Sequence, residues 1–315
     1  MGEIRVIKPG MLTTIQDRGR WGFQASGVPV AGPMDLCSHR LANLLVGNGA
    51  DAATIEITLL GPELEFEDER TIAVAGAEFE VSVDDRIIPT HRAVRVRGGG
   101  RLRFGRRARG ARAYIAIAGG IDVPPTLGSR ATHLSSGMGG LEGRPLQAGD
   151  RVPLGCAGTA RPALRGGRPP MLPLPDGRAR VRVLAGPHDE AFTLDAFSTL
   201  HTAPYTIGSR SDRMGFRLDG PTLTHAGGAD IISDATPPGA LQVTPSGRPI
   251  LLMADRPTTG GYPIIATVIA ADLSLAGQLG PGDTIAFVAC SRGEAVAALI
   301  AQERALMAAQ EAVSS

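Results

Sequence analysis

The 315-residue chain has few aromatic residues, three cysteines and almost no net charge. Aromatic side chains make up 4% of the sequence, so its core must be built from Val, Ile, Leu and Ala. A net charge of +1 gives no reason to expect a nucleic acid or an anionic membrane as a partner. Because Cys37, Cys156 and Cys290 are scattered and form no Cys-x-x-Cys pair, the sequence predicts neither a disulfide framework nor a zinc site.

Lysine is nearly absent, since Lys8 is the single lysine among 32 basic residues. A Walker A loop needs a lysine after its second glycine, so the sequence excludes an ATP-binding loop of that type. It also lacks a Gly-x-Ser-x-Gly elbow, a His-Glu-x-x-His motif and a histidine pair at metal-binding spacing, and we predict no metal site. With no signal peptide and no run of 18 apolar residues, the sequence predicts a cytoplasmic protein.

Short strand patterns dominate both halves of the chain, at a spacing typical of a barrel or sandwich. Short sequence patterns in the two halves are weakly similar, which indicates two related β-domains. We predict a mainly β protein with barrel domains at 1–155 and 181–291, joined by a Pro-, Gly- and Arg-rich linker at 156–180. A C-terminal helix and tail are expected at 292–315, with a few short helices elsewhere, one of them at 34–46.

One segment of the second half places many polar groups directly after a buried strand pattern at 250–254. Its glycines let a ligand approach the backbone, and its prolines restrict the conformations of the loop. A local salt bridge between Asp255 and Arg256 is one interpretation, but the other polar residues nearby favour a ligand site. These polar residues are Gln242, Asp255, Arg256, Thr258, Thr259 and Tyr262.

A second polar cluster, near the N-terminus, consists of Gln16, Asp17 and Arg18, close to the only tryptophan, Trp21. It predicts either an anion or amide site with Trp21 in its wall, or a surface loop with Trp21 packed on the core. We expect this cluster and the 255–262 loop to face one cleft, because pockets often form between domains.

Three features of the first half have simpler interpretations. His133 lies in a polar, glycine-rich segment, yet a lone histidine is more often structural than catalytic. The glycines at 137–140 are flexible enough to surround an anion, although a plain turn is the simpler interpretation. His39 is expected to be exposed on the helix at 34–46.

Five segments carry a resemblance to a known family: 13–20, 32–35, 119–122, 210–221 and 254–263. In this order they resemble the urea amidolyase-related carboxyltransferase family, which includes allophanate hydrolase subunit 2, the 5-oxoprolinase C subunit and the KipA-like proteins. The resemblance covers about residues 8–288 and implies cyclophilin-like β-barrels. It also implies an amide- or carboxylate-bearing small substrate.

The resemblance leaves three functions open. The first, which we favour, is a subunit of an ATP-dependent 5-oxoprolinase, which converts 5-oxoproline to glutamate. The second is a carboxyltransferase subunit of a biotin-dependent urea carboxylase or allophanate hydrolase system. The third is a KipA-like regulator that binds a kinase inhibitor without catalysis.

The implied partner is a homologous subunit resembling allophanate hydrolase subunit 1, the 5-oxoprolinase B subunit or KipI. A protein similar to the 5-oxoprolinase A subunit is a further candidate partner. ATP or biotin would come from partner subunits, because this chain has neither a P-loop nor a suitable biotinyl lysine.

Arginine holds carboxylates in a bidentate manner, and aspartate orients an amide N–H or accepts its proton. We therefore predict that Arg213 and Arg256 bind anionic oxygens, that Asp255 positions the amide, and that Gln242 and Tyr262 add hydrogen bonds. Alanine at Asp255 or Arg256 is expected to remove turnover with little change in melting temperature. Three residues are assigned to catalysis, namely Asp255, Arg256 and Tyr262. Seven are assigned to substrate binding, namely Gln16, Asp17, Arg18, Arg213, Gln242, Thr258 and Thr259.

Overall fold

The computed structural model of the chain describes residues 2–156 and 174–314. The chain divides into a first unit, of residues 1–20, 31–174 and 303–315, and a second unit, of residues 21–30 and 175–302. Most of the predicted linker lies outside the described residues. Its last three residues belong to a strand that begins at Arg178.

The described part of the first unit contains an antiparallel sheet of nine strands that curls into a half-barrel. The longest strands, Arg70–Val83 and Arg101–Ile117, pair along most of their length and carry much of the unit's apolar core. The strands are β1 (Glu3–Lys8), β2 (Leu12–Gln16), β3 (Thr54–Thr58), β4 (Glu63–Phe66), β5 (Arg70–Val83), β6 (Arg86–Ile87), β7 (Ala93–Val96), β8 (Arg101–Ile117) and β9 (Arg151–Pro153).

Helix α1 (Leu36–Leu45) packs against β3, β5 and β8. Asp35 is its N-cap, and the Asp35 side chain accepts a hydrogen bond from Ser38 N at 3.0 Å. The helix predicted at 34–46 therefore begins two residues later than expected. The expectation of an exposed His39 was wrong, because the side of α1 that carries it lies against the sheet and leaves it 0% exposed.

The second unit contains a closed barrel of seven strands within its described residues. Strands β10 and β18 pair in parallel, and the other neighbours in the barrel are antiparallel. The barrel strands are β10 (Arg178–Ala185), β11 (Tyr205–Ile207), β12 (Gly215–Asp219), β14 (Ala240–Val243), β15 (Pro249–Leu252), β17 (Ile264–Val268) and β18 (Thr284–Ala289).

Two short strands, β13 (Asp234–Ala235) and β16 (Thr259–Gly260), form a separate ladder outside the barrel. The remaining helices are α2 (Leu194–Thr202), α3 (Ala270–Gly277) and α4 (Arg292–Ser314). The structure thus confirms the mainly β fold and the C-terminal helix. One unit closes into a barrel, whereas the other remains a curled half-barrel.

Candidate functional site

A buried ion pair connects the segment before β12 with the segment after β15. These strands are antiparallel, with Gly215 opposite Leu252, so Arg213 and Asp255 meet just beyond the paired residues. Arg213 Nε lies 3.0 Å from Asp255 Oδ2, and Arg213 Nη2 lies 3.0 Å from Asp255 Oδ1. The side chains are 3% and 4% exposed, and Asp255 N donates to Arg213 O at 2.9 Å. Each carboxylate oxygen therefore already accepts a charge-assisted hydrogen bond.

This geometry changes the pairing that the sequence suggests. The local interpretation joins Asp255 to its neighbour Arg256, whereas the structure pairs Asp255 with Arg213, 42 residues earlier. The guanidinium of Arg213, which was predicted to hold a substrate anion, lies on a carboxylate of its own chain. Arg256 is left without a carboxylate partner among the described residues.

Arg256 is a buried cation held by backbone oxygens. Its Nε donates to Thr236 O at 2.8 Å, and its Nη1 lies 3.5 Å from Met253 O. The residue is 8% exposed, and burial lowers the pKa of its guanidinium to about 10, an effect that the nearby Asp255 opposes. Arg256 therefore stays protonated at neutral pH. Its charge is poorly compensated, which favours an anionic ligand.

The loop that carries Arg256 is fixed by the segment that contains β13. Thr236 N donates to Thr258 O at 3.1 Å, and Thr236 Oγ1 donates to Pro257 O. Beyond the β13–β16 ladder, Ile231 N donates to Gly261 O at 3.0 Å. The side chain of Thr258 is half-buried and that of Thr259 is exposed, so two hydroxyls lie on a backbone that is held in place.

Gln242 positions the end of the same loop. Its Nε2 donates to Tyr262 O at 3.2 Å, and the side chain is 5% exposed. A Cβ at Gly260 would lie 2.4 Å from Gln242 Nε2, so a larger residue at this position would displace the Gln242 amide. The phenol of Tyr262 is 37% exposed and is available to a ligand. Gln242 thus orients Tyr262 by a hydrogen bond from its side-chain amide to the backbone carbonyl of Tyr262.

Sequence reasoning did not identify His188 or Thr236 as part of this region. His188 Nδ1 accepts a hydrogen bond from Ile264 N at 3.3 Å, which places the ring proton on Nε2. That nitrogen lies 3.7 Å from Asp234 Oδ2, in β13. His188 follows a Gly-Pro pair at the end of β10, and this turn was the signal in the sequence for it.

The N-terminal cluster is mostly paired within its own unit. Asp17 is 7% exposed, and its carboxylate accepts hydrogen bonds from Gly19 N at 2.9 Å, Ser129 Oγ at 2.6 Å and Arg130 N. Arg18 forms an exposed ion pair with Asp51 at 3.0 Å. These contacts indicate that Asp17 holds the 129–130 segment against the end of β2.

Gln16 and Trp21 differ from their neighbours. Gln16 is fully buried, and its Nε2 donates to Thr14 Oγ1 at 3.0 Å and to Thr132 O at 3.1 Å. Its Oε1 finds no partner among the described residues, and the same holds for His133 Nε2. Trp21 is 58% exposed, which contradicts the interpretation in which it packs on the core.

The glycines at 137–140 form ordinary turns. Gly137 N donates to Leu134 O, and Gly140 N donates to Arg130 O at 2.9 Å. Because these amides already bond to carbonyls, they are not available to an anion. The plain-turn interpretation of the sequence therefore describes this segment.

A buried hydrogen-bond network lies around α1, and the sequence analysis did not predict it. Glu56 Oε2 accepts hydrogen bonds from Tyr114 Oη at 2.7 Å and from Met34 N at 2.8 Å, while Asp35 N donates to Tyr114 Oη at 2.8 Å. Next to it, His39 Nδ1 lies 2.9 Å from Thr54 Oγ1. Burial holds the pKa of Tyr114 well above its usual value and lowers that of His39 to about 4.

Residues 26–289 match the family model of the carboxyltransferase domain, subdomain A and B. The chain belongs to the carboxyltransferase family. It is 42% identical to the 5-oxoprolinase C subunit of Escherichia coli (strain K12), over 96% of each chain. It is also 37% identical to the urea amidolyase of Lachancea kluyveri, where the match covers 91% of this chain and 17% of that protein.

Solved structures of carboxyltransferase relatives support the fold. The urea carboxylase of Kluyveromyces lactis superposes with a TM-score of 0.90 at 33% identity. That match covers 99% of this chain and 29% of the urea carboxylase, so the chain spans less than a third of that protein.

Residues 2–156 and 174–314 contain neither a metal-binding cluster nor a membrane-spanning helix. No group of three or more His, Cys, Asp and Glu side chains is arranged to hold a metal ion. No helix is both long enough and apolar enough to cross a membrane.

Proposed function

We propose that this chain is a subunit of an ATP-dependent 5-oxoprolinase that converts 5-oxoproline to glutamate. The observation that carries the proposal is the match to the 5-oxoprolinase C subunit, because 42% identity extends over 96% of both chains. The urea amidolyase match covers 17% of that much longer protein and is a weaker guide to this chain's role.

The geometry of the 255–262 loop suits such a substrate. 5-Oxoproline carries a carboxylate and a cyclic amide, and Arg256 is a buried cation that lacks a carboxylate partner among the described residues. In this proposal Arg256 binds the substrate carboxylate. The hydroxyls of Thr259 and Tyr262 bond to the amide, and both side chains are exposed on a fixed backbone.

The Arg213–Asp255 pair has a positioning role in this proposal. Its bidentate contact fixes the start of the loop, one residue before Arg256. ATP is bound by a partner, either the homologous subunit or a protein similar to the 5-oxoprolinase A subunit. This assignment agrees with the sequence, because the single lysine, Lys8, lies in β1 and follows no Gly-x-x-x-x-Gly loop.

The test measures glutamate release from 5-oxoproline and ATP with this chain co-purified with its partner subunits. We expect activity that disappears when this chain is omitted and returns when it is added back. Arg180→Gln is a suitable control variant, because Arg180 is exposed on β10 and should leave activity unchanged. Activity that persists without this chain would contradict the proposal.

A carboxyltransferase role in a biotin-dependent system is the second candidate. It is favoured by the superposition on urea carboxylase, which covers 99% of this chain. In that case carboxyl transfer to an amide substrate would depend on a biotinylated carrier protein, and 5-oxoproline would not be consumed. If the chain bound its partner but supported neither reaction, a regulatory role would be the remaining prediction.

A further inference from the structure

A groove on the second unit collects arginines that the proposed function does not use. It has a volume of about 420 Å³, within the ~300–1,000 Å³ common for small-molecule sites. Arg217 and Asp219 of β12 line it, and so does the turn from β14 to β15, which ends at Arg248. The segment after β11 contributes Ser209 and Arg210.

The groove carries an excess of positive charge. Arg248 Nη1 lies 2.9 Å from Asp219 Oδ1, so this arginine is paired. The other carboxylate oxygen, Asp219 Oδ2, lies close to Gly208. A Cβ on Gly208 would come within 2.9 Å of it. Among the described residues, three arginines and one aspartate line the groove, so the lining carries two more positive charges than negative ones.

The two other arginines, Arg210 and Arg217, have no side-chain partner among the described residues. Both are exposed, and the hydrogen bonds that involve Arg217 use its backbone N and O. Two of the nearby hydroxyls, those of Thr244 and Ser246, are occupied, since Thr244 Oγ1 donates to Arg248 O at 3.0 Å and lies 2.9 Å from Ser246 Oγ. The free donors of the groove are therefore chiefly guanidinium groups, which bind paired anionic oxygens.

We propose that this groove binds a small dianion, either a phosphoryl group or a dicarboxylate, with Arg210 and Arg217 as its direct ligands. Two excess positive charges in one groove match the two negative charges of such a ligand. The site is separate from the 255–262 loop and does not depend on the proposed 5-oxoprolinase role. Its ligand is recognised by charge and oxygen spacing, and exposure of the arginines makes the binding sensitive to salt.

The experiment is calorimetric titration of the intact chain at pH 7.5 and constant ionic strength, with inorganic phosphate, succinate or chloride. We expect saturable binding of phosphate or succinate and none of chloride. The double variant Arg210→Gln with Arg217→Gln should weaken binding by at least about tenfold, since both direct ligands are removed. Because both residues are exposed, this variant should fold normally, which its circular dichroism spectrum would verify.

Two further variants make the test specific. Arg178→Gln with Arg180→Gln removes two exposed arginines from β10 of the same barrel and should change the affinity by less than about twofold. Asp219→Asn removes the one carboxylate that the described residues contribute to the lining and should tighten binding by a few-fold. Saturation by phosphate alone would assign a phosphoryl ligand, and saturation by succinate alone a dicarboxylate. If neither anion bound, or if the β10 variant weakened binding as much as the groove variant, the proposal would be wrong.

Discussion

The N-terminal polar cluster and the 255–262 loop contain similar residue types but differ in how their polar groups are paired. In the first unit Asp17 accepts three hydrogen bonds from its own chain, and Glu56 accepts from a tyrosine and a backbone amide. In the second unit, the partners that Arg256 finds among the described residues are carbonyl oxygens, and the same loop carries an exposed Tyr262. A buried charge that its own fold has neutralised serves stability, whereas one left without a counter-charge is suited to a ligand.

The same contrast exists within the loop itself. Asp255 and Arg256 are neighbours in sequence, yet Asp255 is bound by Arg213 on both carboxylate oxygens and Arg256 has no carboxylate partner among the described residues. The two residues should therefore respond differently to substitution. Asp255 should act mainly on stability and Arg256 mainly on ligand binding.

The largest expected effect comes from Asp255→Asn. This change breaks the buried ion pair with Arg213 by removing its carboxylate charge, which typically costs about 3–5 kcal/mol in the free energy of unfolding. Urea unfolding followed by circular dichroism measures this loss. The expectation reverses the one from sequence, in which alanine at Asp255 leaves the melting temperature nearly unchanged.

A double variant tests whether the stability loss comes from the charge that is left behind when one partner of the ion pair is removed. Replacing Arg213 by Met together with Asp255 by Leu removes both charges, and it should recover most of the lost stability. If Asp255→Asn instead unfolded like the wild type while losing activity, the carboxylate would be a catalytic group, as the sequence suggests.

The second effect concerns Arg256→Lys, which keeps the charge but loses the planar fork of donors. We expect kcat/KM to fall about tenfold to a hundredfold, as for the loss of a hydrogen bond to a charged group, whereas the free energy of unfolding changes by about 1 kcal/mol or less. Steady-state kinetics of the assembled enzyme and urea unfolding of the chain measure the two quantities. A stability loss as large as that of Asp255→Asn, with unchanged kinetics, would remove the distinction between the two residues.

The third effect concerns His39, which belongs to the buried polar network of the first unit. In the unfolded chain this histidine takes up a proton near pH 6.5, but in the folded chain its pKa is lowered to about 4 by burial. The unfolded state therefore binds more protons between these values, and stability falls as the pH drops through this window. We expect a loss of about 2 kcal/mol between pH 7 and pH 5 from this residue.

His39→Gln should remove that part of the pH dependence, because glutamine stays neutral throughout. His201→Gln, at an exposed position near the end of α2, provides the matched control for the substitution itself. A full pH dependence in the His39 variant would show that other groups of the buried network take up the proton.

The sequence alone locates the polar loop, but it does not predict that Asp255 pairs with Arg213. The residues from Asp255 to Tyr262 follow β15, as the strand pattern predicts, and their polar character is visible directly. The partnership of Asp255 with Arg213 depends on the register between β12 and β15, which no local pattern contains. The burial of His39 was missed for a similar reason, because its partner Thr54 lies on β3 and not on the helix.

The smallest expected effect comes from Gly260→Ala, which tests whether Gln242 orients Tyr262. A Cβ at this position would lie 2.4 Å from Gln242 Nε2, so the amide must move and its hydrogen bond to Tyr262 O must weaken. Because Gln242 is a flexible side chain, we expect a stability loss of about 1 kcal/mol, measured by urea unfolding, and a rise in KM. Gln242→Ala added to Gly260→Ala should relieve the crowding, so the double variant should lose less stability than the two single changes combined. If the effects of the two changes on stability were instead additive, the contact between Gly260 and Gln242 would not set the position of Tyr262. The position of the exposed phenol would then be set by the β13–β16 ladder.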